Sequence, residues 1–133
     1  MRHLSAVPLL AIPVILANVL AFAGDEGLNH LWFLAPLPSG AQANIDTGIA
    51  LIALSLLLLY VEIFKSTRTG QASILDHVMS MLVFVVALVE FITVPRLGNG
   101  VFFVILLTTL IDVIAGFTVT ISSARRDFGA PGA

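Results

Sequence analysis

The sequence predicts an all-α integral membrane protein, a single bundle of four antiparallel transmembrane helices with both termini in the cytoplasm. Three observations carry this expectation. Of the 133 residues, 59% are hydrophobic and only 11% charged, against roughly 25% charged in soluble domains. Four apolar stretches, roughly 5–23, 47–65, 73–95 and 100–122, approach the ~20 residues a spanning helix needs. The basic residues divide unevenly. Arg2, Lys65, Arg68, Arg125 and Arg126 fall on one side of a four-span arrangement, and only Arg96 on the other. The positive-inside rule assigns the larger group, and with it both termini, to the cytoplasmic face of a bacterial inner membrane.

The first stretch, SAVPLLAIPVILANVLAFA, also reads as a signal peptide, with Ala21-Phe22-Ala23 as a cleavage site. Its apolar run exceeds the ~7–15 residues of a usual signal core, which favours a retained helix. Residues 24–46 form the long outer loop; it holds Asp25, Glu26 and Asp46 and no Lys or Arg. Trp32 and Phe33 lie among leucines there, a composition suited to a loop resting on the headgroups rather than a partner-binding lid. Pro36 and Pro38 deny this loop a long helix. Asp46-Thr47-Gly48 supplies an N-cap for the second span. Polar or turn-forming runs, KSTRTGQA and PRLGN, separate the remaining spans. Hydrocarbon forces each span to satisfy its own backbone, so all are helices.

Acids inside such spans are costly, near +2.5–3.5 kcal/mol at a helix centre, and each needs a reason. At ~1.5 Å per residue, Glu62, Asp76 and His77 come within a turn or so of the cytoplasmic surface. Ser73-Ile-Leu-Asp76 is a capping-box pattern, and Lys65 and Arg68 are near enough in sequence to neutralise both acids. These residues are expected to form an interfacial ion-pair cluster, each neutralisation costing within about 1 kcal/mol. Glu90 lies about 7–8 Å from the outer end of the third span. Asn18 is at similar depth and in a position to donate to it, and Arg96 to snorkel back toward it.

Asp112 is the deepest acid, roughly 18 Å from the start of the fourth span and so near the midplane. Thr108, Asp112, Gly116 and Thr120 form an i, i+4 ladder, with Thr109 and Ser123 on the same flank. Small residues let helices approach and hydroxyls bond across a contact, so this seam is expected to face protein. Asp76, Ser80, Ala87 and Glu90 share a face of the third span within about 80°. Gly48, Ser55 and Glu62 do the same on the second.

Two functions fit these converging faces. In the first, the polar and small residues dock the protein, as an accessory or structural subunit, onto itself or a larger membrane complex. In the second, Asp112 and Glu90, with Asn18, Thr108 and Thr109, mark a proton or cation path through a homo-oligomer. Four short helices rarely enclose a path alone, which favours the first. Zero cysteines and three isolated histidines leave no metal constellation or nucleophile–base pair, so neither an enzyme nor a cofactor is expected. A net charge of −2 gives no footprint for nucleic acid; the expected partners are the lipid bilayer and another membrane protein or a second copy. The first span has no acid, unlike four-helix multidrug transporters, and the chain lacks the cysteines of quinone-linked disulfide enzymes.

Overall fold

The computed structural model of the protein describes residues 7–67 and 71–129, without the side chains of 71–73, 120, 123 and 127. Among these, the chain folds into helix α1 (Ala11–Phe22), strands β1 (Leu31–Pro36) and β2 (Gln42–Asp46), and helices α2 (Thr47–Ser66), α3 (Gln71–Thr93) and α4 (Gly100–Gly129). Three helical stretches, Thr47–Ser66, Ile74–Thr93 and Gly100–Arg126, are long and apolar enough to cross a membrane.

The first span is shorter than its apolar run. Helix α1 has 12 residues, about 18 Å, well below the ~30 Å of a hydrocarbon core. Two prolines set its start. Pro13 has no N–H to give the Leu9 carbonyl, which accepts instead from Ile12, while Ala11 bonds Pro8, so Pro8–Ile12 turns tightly. At the third helical position Pro13 forfeits a bond the first turn would lack anyway.

The loop expected over 24–46 contains regular structure. Leu31–Pro36 pairs antiparallel with Gln42–Asp46, with a bulge between Leu31 and Phe33. The run LWFLAP has no polar alternation, the usual mark of a strand, which is why the sequence showed only a loop. Pro36 sits at the end of β1, where a missing ladder donor is tolerated. Asp46 caps α2 as expected, its carboxylate accepting from the Ile49 N–H at 2.8 Å.

Helix α3 ends because Val94, extended before Pro95, cannot continue it. After a single 3-10 turn at Pro95–Leu97, Asn99 caps α4 through its side chain to the Phe102 N–H at 2.9 Å. Helix α4 then runs seven residues beyond the expected 122, to Gly129. It is the most buried of the three long helices and α3 the least. Phe102, Ile105 and Leu106 of α4 pack with Val14 and Ala17 of α1, Leu51 of α2 and Ala87 of α3. Gly48 lets α2 approach α4 closely, since a Cβ there would fall 2.7 Å from the Val101 side chain.

Candidate functional site

Three helices bring polar side chains to one point in the half of the bundle away from the two-stranded hairpin, called inner below; the hairpin side is called outer. Helix α2 contributes Glu62, Lys65 and Ser66 at i, i+3, i+4, α3 contributes Asp76, His77 and Ser80, and α4 contributes Asp112 and Gly116. All but Lys65 line a void of about 10 Å³, roughly the space of one water. Asp112 and the expected surface cluster are therefore one assembly. Counted along each helix, Glu62, Ser80 and Asp112 all lie about 18–22 Å from the outer ends. The sequence separated them because each depth had to be counted from an uncertain span boundary.

Glu62 is 2% exposed, enclosed by the helices although it lies only one turn from the end of α2. The Leu9 N–H, at the start of α1, donates to its Oε1. Lys65 Nζ reaches both its oxygens, at 3.4 and 3.5 Å. Lys65 also stands 3.7 Å from Asp76 Oδ1, an ion contact too long for a hydrogen bond. One lysine thus joins α2 to α3. Arg68, the other expected partner, lies outside the described residues, as does the side chain of Ser73. Ser80 and Asp112 line that void from α3 and α4. His77 meets Phe117 edge-on, with ring centroids 4.8 Å apart. Its imidazole lies directly over Gly116, where any Cβ would collide with the ring. Among the described residues, Asp76 Oδ1 and His77 Nε2 are buried without a hydrogen-bond partner. No three acids or histidines there are arranged to hold a metal ion.

The outer polar site is simpler. Asn18 Nδ2 donates to Glu90 Oε2 at 2.9 Å and to the Val14 carbonyl at 3.0 Å. Arg96 does not turn back to Glu90. It donates to the Ala21 carbonyl at 3.2 Å and covers the Phe22 ring at 5.4 Å. Those two acceptors close the last turn of α1, and a cation there complements the negative helix end.

Thr108 and Thr109 are buried, at 2% and 1% exposure, but they do not bond across the helix contact. Their hydroxyls donate to the Ile105 and Leu106 carbonyls of their own helix, at 2.6 and 2.7 Å. In a dry apolar contact, the nearest free lone pair is one turn back. The side chain of Thr120 lies outside the described residues. Sequence reasoning missed Ser66 and the Leu9 amide. No pattern marks a backbone donor 53 residues from its acceptor, although Pro13 signals that Leu9 precedes a helix.

The chain matches no protein-family model, no curated protein and no solved structure.

Proposed function

We propose that this chain is a small polytopic protein of the bacterial inner membrane that acts as an accessory or structural subunit, associating with itself or with a larger membrane complex. The observation that carries this reading is the use made of two of the acids within its apolar helices. Glu62 holds the Leu9 amide just before α1, and Glu90 holds Asn18 toward the other end of the same helix. Both acids serve to dock a helix too short to cross a bilayer alone. Between the two polar levels, Ile105 and Ala87 are fully buried, and the buried hydroxyls of Ser55, Thr108 and Thr109 are turned to carbonyls of their own helices.

The proposed topology is four antiparallel helices with both termini cytoplasmic. Its support is the split of basic residues together with the helix contacts. Phe91 meets Phe103 near one end of α3 and α4, while His77 meets Phe117 near the other. A reporter fused after Ser123 should be active only if it is a cytoplasmic reporter; activity of a periplasmic one would overturn the arrangement.

The second reading, a proton- or cation-conducting homo-oligomer, is favoured by one observation: Asp76, His77 and Asp112 meet at a point where α1 docking does not need them. Purification from native membranes in mild detergent separates the two. A companion protein in fixed stoichiometry supports the accessory reading, and a homo-oligomer alone the conducting one. Asp112→Asn should assemble normally in both cases, and abolish pH-driven flux in liposomes only in the second. Asp112→Leu should lose assembly, by roughly the ~0.6–2 kcal/mol of one interhelical hydrogen bond.

A further inference from the structure

We infer that the hairpin Leu31–Asp46 is a lipid anchor, lying in the headgroup region of the leaflet that borders the α2 N-terminus. Three features of the hairpin lead there, and none depends on which biological role the bundle serves.

The first is fixed depth. Strand β2 ends at Asp46, the residue that caps α2. The loop before β1 is tied to the same helix end: the His30 carbonyl accepts from the Thr47 N–H at 3.0 Å and the Leu28 carbonyl from the Gly48 N–H at 2.8 Å. The Trp32 indole N–H donates to Thr47 Oγ1 at 3.0 Å. Trp32 is therefore held level with the first residue of an apolar helix, at the boundary where amphipathic rings settle.

The second is chemistry. Residues 31–45 contain no Asp, Glu, Lys, Arg or His. Leu31, Trp32, Phe33, Leu34 and Leu37 are 46–56% exposed. Strand alternation sends the β1 side chains to both faces, and their exposure shows that among the described residues no helix covers either face. A two-stranded hairpin with this much apolar surface is marginal in water. The same surface continues into the exposed Ile49, Leu56 and Leu57 of α2, so one apolar belt runs from hairpin to helix.

The third sets a limit to depth. A hairpin has two open edges, and unpaired backbone groups are excluded from hydrocarbon. The headgroup layer supplies both an apolar side for the leucines and water for the edges. Lipid, rather than a protein partner, is the occupant that meets both demands at this height.

The test uses the full chain reconstituted in phosphatidylcholine–phosphatidylglycerol vesicles. Trp32 is the only tryptophan and there is no cysteine, so Trp32 reports the base of the hairpin. Leu37→Cys, labelled with a polarity-sensitive fluorophore, reports its tip. Strand β1 extends about 20 Å, so an upright hairpin would carry the tip into water. Both probes should lose most emission to lipids brominated near the headgroup, less to lipids brominated near the chain end, and least to aqueous iodide. A tip quenched chiefly by iodide would overturn the proposal, as would deep bromines acting most strongly on either probe. Tip protection from every quencher would instead place a second copy or another protein over the strand, and would also overturn it. Phe33→Asp with Leu34→Asp should move the tip label toward iodide if the anchor is apolar; an unchanged quenching pattern would argue against it.

Discussion

The outer and inner polar sites are built from similar parts and used differently. At the outer site, Glu90 has one clear partner in Asn18, and Arg96 is fully occupied with the end of α1. At the inner site Glu62 is as well used as Glu90, but its neighbours are not. Asp76 and His77 each bury an atom with no hydrogen bond among the described residues, and Lys65 is shared between two carboxylates. Acids within one membrane bundle are therefore not one class. Those that touch α1 have a structural purpose, while those between α2, α3 and α4 have polar capacity beyond what docking requires.

The comparison breaks first at Glu62. Glu62→Leu leaves Lys65 and the Leu9 N–H without their acceptor at a buried point. Removing one member of a buried pair costs on the order of 3 kcal/mol, far above the ~1 kcal/mol expected of a surface pair. Thermal unfolding in detergent should show this loss. A cost within about 1 kcal/mol would mean that the site is wet and Glu62 replaceable.

Gly116→Ala comes next. The added methyl meets the His77 imidazole, and overpacking of this kind costs typically ~1–3 kcal/mol. Alanine favours a helix by up to ~1 kcal/mol over glycine, so the observed loss is what remains after that gain. Gly100→Ala is the control, since nothing lies within 4 Å of a Cβ there; its effect should be small or stabilising. Equal melting of the two variants would show that His77 moves aside freely.

At the outer site Asn18→Leu should be milder, about 1 kcal/mol, the typical worth of one polar contact between membrane helices. Glu90 is only half-buried and keeps access to the nearby surface. A loss as large as that of Glu62→Leu would erase the distinction between the two sites.

How much of this was legible in the sequence depended on whether the signal was local. The long helices were plain, because twenty apolar residues have one solution in lipid. The Asn18–Glu90 pairing followed from matched depth, and the face of Gly48, Ser55 and Glu62 from helical spacing; all three are buried. The hairpin was not legible, because LWFLAP is apolar on both faces and so carries no period of two. The short α1 was masked by an apolar run that continues past the tight turn made by Pro8 and Pro13. The union of Asp112 with Glu62 and Asp76 needed relative helix heights, and a boundary error of three residues shifts those by about 4.5 Å. The Arg96 contact was not legible because its acceptor is a carbonyl 75 residues away, which no local spacing marks.

The smallest effect is the sharpest test of what a buried hydroxyl does in this bundle. Thr109 and Ser80 are both buried on helix contacts, at 1% and 7% exposure. Thr109 donates to the Leu106 carbonyl of its own helix at 2.7 Å. Removing it leaves behind only a carbonyl that can still accept its regular helical N–H. Valine fills nearly the same volume, so Thr109→Val should change stability by no more than about 0.5 kcal/mol. Ser80→Ala removes as few atoms but takes, from the small void it shares with Asp112, a hydroxyl able to donate to that carboxylate. An acceptor left unsatisfied in a buried site costs about 1–3 kcal/mol, so Ser80→Ala should exceed Thr109→Val severalfold in unfolding free energy. If the two variants cost the same, the Asp112 carboxylate finds another partner when Ser80 is gone. The surplus polar capacity of the inner site would then be mobile rather than fixed, and the contrast with the Asn18–Glu90 clamp would rest on dynamics instead of on paired atoms.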